Sequence, residues 1–489
     1  MRSSGASRAG ANHARRRGVR LRNCIATRLQ AQVPHRLLPA QVYFGVMITR
    51  LHIENFKSWR QADLPFGKIT AFFGANSSGK TSILQLLLLL RQTVESPDPS
   101  VPLFLGDRES PADLGAFVDV VHQHNLSEAL RWELEWQISP PRTLFHLKDI
   151  HQIVQAAAVG WDGNSQAGRM VVRSLSYRFS DCTVVYLRGD KGYEVRFEPQ
   201  DLLVRSQGRP PVHKEPIKCY GFPESVRVAF QNAEPIFELA HEFTCLARRI
   251  YYLGPLREYP QRQYLWSGAE PSDVGGRGEN TIAALLASRR QGKTIPRRKR
   301  RSQTVEEAVA EQLRHMGVIH SFDVKTLSEG SRLYEVKVRL TPNSPEASLA
   351  DVGFGVSQLL PVVTLCYFAP EGSIVVLEQP EIHLHPAVQA GLADTLIDAM
   401  LRNKIQIIIE SHSEHLLTRL QRRIAEAKLT HEDVRLYFCQ FDGQQSKAEQ
   451  LQLDEYGRIS NYPSDFFGDL LGEAIEAQKA RNRRQAHAK

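Results

Sequence analysis

The sequence predicts an α/β fold: a mainly parallel sheet covered by helices, with an inserted antiparallel β-rich and helical region. Three observations predict it. Strand-like and helix-like runs alternate from about 351 to 441, which implies parallel strands joined by helical crossovers. GANSSGKT (74–81) stands between an apolar strand-like run and a helix, the context of a phosphate-binding loop. From 129 to 205, LRWELEWQI, MVVRSLSYRF, CTVVYL and YEVRFEP alternate apolar and polar positions between Gly, Asp and Asn turns. That period of two is the pattern of half-buried antiparallel strands.

Composition narrows the class. The 489 residues are 42% apolar and 24% charged, as in globular proteins, and a length of this order predicts two to four structural units. The longest apolar run, ILQLLLLL (83–90), is broken by Gln85 and falls short of the roughly 20 residues a membrane span needs. Six cysteines (24, 182, 219, 245, 366, 439) form no CxxC pair. This argues against a disulfide frame or a zinc site and fits a reducing, cytoplasmic setting. The net charge of +9 is concentrated: residues 1–46 hold nine arginines and no acid, whereas 47–489 balance to zero. Residues 1–46 are expected to be a disordered tail or a start-site extension ahead of Met47; a basic nucleic-acid arm and a transit peptide are the rival readings. A second block, RRQGKTIPRRKRR (289–301), packs eight cations into thirteen residues. It is either a solvated loop or a contact to a nucleic-acid backbone.

In chain order, MITRLHIENFK (47–57) and KITAFF (68–73) read as strands and 80–92 as a helix. The antiparallel strands follow, then a helical stretch over 222–250 and Gly/Pro-punctuated loops at 251–262 and 273–280. TVEEAVAEQLRHMG (304–317) opens with Thr304 and Glu307 in capping-box spacing. SRLYEVKVRLTP (331–342) is a strand. These divide the chain into an N-terminal lobe (47–128), an insertion (129–345), a C-terminal lobe (346–455) and a C-terminal extension (456–489).

The chemistry-bearing residues fall in four stretches. In 74–82, Gly74 and Gly79 let the backbone wrap a phosphate. Amides around Asn76, Ser77, Ser78 and Ser82 face the anion, Lys80 reaches the β- and γ-phosphates of ATP, and Thr81 offers a hydroxyl to Mg²⁺. In VVLEQPEIHLHP (375–386), Glu378 ends a strand and is the expected Mg²⁺ carboxylate. Gln379 follows it, where the ABC-type ATPases that this stretch resembles would have a catalytic acid; an amide orients water but does not take its proton. Glu381 is the substitute base. In IIIESHSEHLL (407–417), His412 follows a strand and is placed to bond the γ-phosphate and the attacking water. In DVGFGVSQLLPVV (351–363), Gly353, Gly355 and Ser357 lie at the start of a helix. Arg257, Arg262 and Arg277 sit in loops and are weaker phosphate candidates.

Taken together, ENFKSW, GANSSGKT, GFGVSQ, LEQPEIHLHP and ESHSEHLL resemble the ABC-type ATPases of the SMC/RecF/OLD group, from residue 47 to the end. LGPLRE, GRGEN and GRISNYPSDFF (457–467) are similar to a bacterial subfamily with its own C-terminal extension. The resemblance implies an ABC-type P-loop NTPase core. It also implies ATP-dependent head-to-head homodimers, with GFGVSQ of one subunit capping the γ-phosphate held by the other. Gly353 stands where the usual pattern has Ser, so that contact is expected from backbone amides. No sustained heptads and no room for a Toprim nuclease domain are seen. The expected function is slow ATP hydrolysis acting as a switch, in a DNA-related process or in phage defence with a separately encoded nuclease or other effector. A nucleotide-switched scaffold with little turnover and a RecF-like DNA mediator are the alternatives; a transporter cassette fits less well. On this reading Glu381→Gln loses most of the ATPase rate in a steady-state assay, while Gln379→Glu retains or raises it. Full activity in Glu381→Gln would remove Glu381 from the mechanism.

Overall fold

The computed structural model describes residues 45–144, 147–163, 168–207, 214–297, 300–463 and 478–479. Almost all of the basic segment 1–46, Arg298 and Lys299 of the second basic block, and most of the C-terminal extension lie outside the described residues.

A six-stranded sheet runs in the order Ser446–Gln450, Val434–Phe441, Ile69–Gly74, Gln406–Glu410, Ile374–Glu378, Ile250–Leu253. Every neighbouring pair is parallel except the first. Ile374–Glu378 and Gln406–Glu410 are buried at every position. Continuous apolar runs of this kind suit strands covered by helices on both faces. The helices Lys80–Glu95, Phe354–Phe368, Pro386–Asn403 and Glu414–Ala425 alternate with these strands along the chain. The carboxyl ends of four adjacent parallel strands therefore meet at one edge, where open α/β sheets gather their ligands.

The antiparallel sheet is larger than the sequence suggests. Its seven strands run Trp59–Pro65, Val46–Phe56, Leu130–Leu144, Leu147–Asp162, Arg169–Phe179, Cys182–Gly189, Gly192–Glu198. The first two precede the phosphate loop, so no break in the sheet falls at 128/129. Val46–Phe56 pairs with Leu130–Leu144 through Leu51↔Leu134 and Ile53↔Trp132. Both strands bury alternate apolar residues, among them Leu51, Ile53, Trp132 and Leu134, and a shared apolar face draws them into one sheet.

Two more differences have local causes. The helical stretch 222–250 is two helices, Glu224–Ala229 and Glu234–Arg248, parted by a short turn. The loop expected from 251 begins instead as the strand Ile250–Leu253, which pairs with the strand ending in Glu378. Only four residues long, it shows too little alternation to be read against the Gly and Pro that follow. Thr304 does cap its helix: Glu307 N donates to Thr304 Oγ1 at 3.1 Å and Thr304 N to Glu307 Oε2 at 2.8 Å.

Gln406 joins the two main sheets. It is fully buried at the start of its strand. Its Oε1 accepts from Ile48 N (2.9 Å), and its Nε2 donates to Ile48 O (2.7 Å) and Gly67 O (2.8 Å). The pairing of Val46–Phe56 with Leu130–Leu144 shifts register between Ile48 and Arg50, so the side chain satisfies backbone groups beside an irregularity in the ladder. Gln406→Leu leaves an N–H and two carbonyls without this partner. It is expected to cost about 3 kcal/mol or more, read as a lower urea midpoint; an unchanged midpoint would show that the sheets do not depend on this tie.

Candidate functional site

The phosphate loop is shaped by two glycines. Gly74 (φ 134°) ends its strand and Gly79 (φ 91°) precedes the helix. A Cβ on Gly74 would lie 2.1 Å from Cys439 O, and one on Gly79 would lie 2.4 Å from Ser446 Oγ and 2.8 Å from Ser58 Oγ. Backbone conformation and packing thus both require glycine. The loop is also clipped from outside: Trp59 Nε1 donates to Gly79 O at 3.0 Å, and Ser446 Oγ donates to Ser58 Oγ at 2.7 Å. ENFKSW therefore reaches the site as the turn that supports this loop. Ala75, Asn76 and Ser77 are exposed at its tip, and Ser78 is buried.

Five ionisable side chains are buried at the adjoining strand ends: Lys80 (3% exposed), Arg257 (6%), Glu378 (8%), Glu381 (6%) and Glu410 (2%). Lys80 Nζ donates to Gly74 O (3.1 Å) and Ala75 O (2.7 Å) and lies 3.9 Å from Glu410 Oε1. Thr81 Oγ1 donates to Glu410 Oε2 at 2.7 Å, and its proximity helps lower the pKa of Glu378 against burial. Tyr252 donates its hydroxyl to Glu378 Oε2 at 2.5 Å. Burial raises the pKa of Glu378 and of Glu381, and pushes Glu410 up to about 7 against the lowering pull of Thr81 and Lys80. The same burial lowers Lys80 despite Glu410 beside it. Desolvation thus opposes charge on both partners of the pair.

Thr81 with Glu378 and Glu410 is a set of hard oxygen donors beside a phosphate loop. That chemistry fits Mg²⁺, which takes one or two carboxylates with the rest of its shell from phosphate and water. Glu410 and Tyr252 are absent from the sequence-derived residues. Glu410 ends IQIIIE as Glu378 ends IVVLE, and the two pair directly across parallel strands; the repeated strand-ending acid was the available signal. Tyr252 carried none, because its role follows from the edge strand.

Glu381 is held, not free to swing. Ser411 Oγ and His412 N donate to its Oε1 at 2.8 and 2.7 Å, while its Oε2 has no hydrogen-bond partner. Gln379 has φ 44° and donates its backbone N–H to Glu410 O at 2.8 Å; its side chain bonds the Glu410 carboxylate. His412 meets the Gly74 backbone, and burial together with Lys80 lowers its pKa. Its Nε2 is buried without a hydrogen-bond partner. The phosphate loop, Glu378, Gln379, Glu381 and His412 therefore converge. Gly353, Gly355 and Ser357 do not supply any of the partners just given. Gly353 caps the helix Phe354–Phe368, and a Cβ there would meet nothing within 4 Å.

The three loop arginines differ. Arg262 donates two hydrogen bonds to Asp351, at 2.8 and 2.6 Å. Arg277 is exposed. Arg257 is buried and none of its three nitrogens has a hydrogen-bond partner. The basic block is not one open loop. Arg289 pairs with Glu306, Arg297 with Glu311, Arg290 donates to Gly268 O, and Lys293 to Phe368 O. Internal acids and carbonyls thus engage half of its eight cations.

The AAA ATPase domain family matches residues 47–129 and 279–417, and a family of proteins of unknown function, DUF3696, matches 429–476. None of the curated proteins compared with the chain matches it. Among solved structures, it is similar to an SMC head bound to the C-terminal winged-helix domain of ScpA, at 13% identity and TM-score 0.43, over 83% of this chain and 98% of that one. The SMC head domain from Thermotoga maritima aligns at 12% identity and TM-score 0.38, over 83% and 99%. The Smc head with an extended coiled coil, bound to the C-terminal domain of ScpA from Pyrococcus furiosus, aligns at 11% and 0.40, over 89% and 100%. Residues 47–129 and 279–417, which carry the phosphate loop and the strands ending in Glu378 and Glu410, thus match an AAA ATPase domain interrupted by residues 130–278.

Proposed function

We propose that this chain binds MgATP at the strand ends and hydrolyses it slowly, so that nucleotide state acts as a switch. One observation carries the reading. Glu381 is fixed by Ser411 and His412 N with its second oxygen unmet, and the Nε2 of His412 itself is also buried and unmet. An acceptor and a ring nitrogen, both buried and both unpartnered, suit a water held against a phosphoryl group.

The roles follow from the geometry. Loop amides and the helix N-terminus receive the phosphates. Lys80 exchanges its carbonyl partners for phosphate oxygens. Thr81 and Glu378 hold Mg²⁺, with Glu410 bracing Thr81 and Tyr252 bracing Glu378; the ion, when bound, neutralises charge on the phosphates. Glu381 accepts the proton of the attacking water, a task its raised pKa favours. His412, kept neutral by burial and Lys80, uses Nε2 toward the water or the γ-phosphate. Gln379 bonds Glu410 and takes no proton. One fixed base, with an amide at Gln379 in place of an acid beside Glu378, favours a rate below the roughly 1 s⁻¹ lower end of common enzymes.

Gly353–Ser357 open the helix Phe354–Phe368, and among the described residues a Cβ on Gly353 would meet nothing within 4 Å. This supports their use across an ATP-dependent homodimer, where a second subunit would close the site. A separately encoded effector, such as a nuclease in phage defence, is the partner this switch would govern. Direct DNA binding through 289–301 is the lesser reading, because internal partners engage half the block.

Phosphate release under Mg²⁺ tests the proposal. Wild type is expected to turn over slowly and Lys80→Ala not at all; rapid turnover, or none even in wild type, would contradict it. Tyr252→Phe removes the brace on Glu378 and is expected to weaken Mg²⁺ binding to the ATP complex about tenfold. Metal-free nucleotide binding should be unchanged. Equal loss in both titrations would mean that Tyr252 shapes the pocket as a whole.

A further inference from the structure

Arg257 is the group least explained by the fold. It follows the edge strand Ile250–Leu253, whose last residue pairs with Leu377, next to Glu378. Backbone bonds hold its loop on both sides: Gly254 N donates to Gly276 O at 2.8 Å, and Glu258 N to Arg277 O at 2.9 Å. The guanidinium is thereby carried to the strand ends and sits 6% exposed. Nε, Nη1 and Nη2 all lack a hydrogen-bond partner. Its charge is felt by Tyr252, Glu378 and Glu381, yet it bonds none of them. A guanidinium has five donors in a rigid fork. Leaving all five unmet in a buried site is costly unless a ligand completes it.

The missing partner must be anionic, rich in acceptor oxygens and present only part of the time. Glu381 interacts electrostatically with a cation from the phosphate loop, Lys80, and with one from the edge-strand loop, Arg257. A phosphoryl group presented past Lys80 would approach these same strand ends, and the fork of a guanidinium matches phosphate oxygens. Burial lowers Arg257 to about 10, which leaves it cationic at neutral pH.

Resting on the MgATP reading, we propose that Arg257 contacts the terminal phosphoryl group of the bound nucleotide from within the same subunit and so distinguishes ATP from ADP. Because the guanidinium is already buried and unpaired, the ligand-free protein bears its desolvation, and ATP relieves it.

The test is equilibrium binding of a non-hydrolysable ATP analogue and of ADP to wild type, Arg257→Met and Arg257→Lys, with thermal melts of each ligand-free protein. Arg257→Met is expected to weaken the ATP analogue about thirtyfold, the order of one charge-assisted hydrogen-bonded contact, and ADP less than threefold. Its ligand-free melting temperature should equal or exceed that of wild type, since an uncompensated buried charge is removed. Arg257→Lys keeps the charge without the fork and should fall between the two; it also serves if Arg257→Met does not fold. Equal weakening of both nucleotides, no weakening of either, or a lowered ligand-free melting temperature in both variants would overturn the assignment and leave a structural arginine. Lost hydrolysis with unchanged binding would also overturn it, making Arg257 a positioning residue for Glu381. If wild type binds neither nucleotide, the MgATP reading fails instead, and the two failures are told apart.

Discussion

The whole site depends on the burial of charge at the ends of four adjacent parallel strands. Ile69–Gly74, Gln406–Glu410, Ile374–Glu378 and Ile250–Leu253 are neighbours in one sheet, and each delivers a charged or polar group to the same edge. Their interiors are mostly apolar and buried, so the acids that end two of them cannot retreat to water. Three carboxylates, a lysine and an arginine therefore face one another under strong desolvation. Such a cluster is under-satisfied without a ligand. The tie through Gln406 matters for the same reason: it anchors the strand that carries Glu410 to the antiparallel sheet.

Much of this was legible from local sequence. A phosphate loop declares itself because two glycines must hold positive φ at fixed spacing, and Gly74 and Gly79 do so. Glu378, Glu381 and His412 stand in short runs where strand, turn and helix follow one another. Four of the five antiparallel strands between 130 and 198 showed through their alternation, and Leu147–Asp162 was the one missed. What stayed hidden depends on pairing across the chain. Thr81 and Glu410 are 329 positions apart, and no local pattern links them. Tyr252 and Arg257 gain their meaning only once Ile250–Leu253 is seen to border the strand of Glu378. The N-terminal strands join the antiparallel sheet by register with Leu130–Leu144, which composition does not reveal. The basic block looked uniform as sequence, yet acids at Glu306 and Glu311, supplied by the following helix, neutralise part of it.

The fixing of Glu381 shapes the functional account. A base that swings could serve fast turnover; one pinned by Ser411 and the His412 amide waits for its substrate to be brought to it. Gln379, bonded to Glu410, offers no second proton acceptor. The arrangement therefore suits a protein that holds ATP long enough for a partner to sense it. In the homodimer proposed above, the helix start at Gly353 is the part a second copy would use to complete the closure.

The most direct measurement is the solution mass of the protein followed by light scattering during a single turnover of MgATP, with phosphate release recorded in parallel. The account predicts that mass doubles on binding ATP and returns to the starting value at the slow rate of phosphate release. A mass indifferent to ATP, or hydrolysis that runs fast with no change in mass, would contradict it.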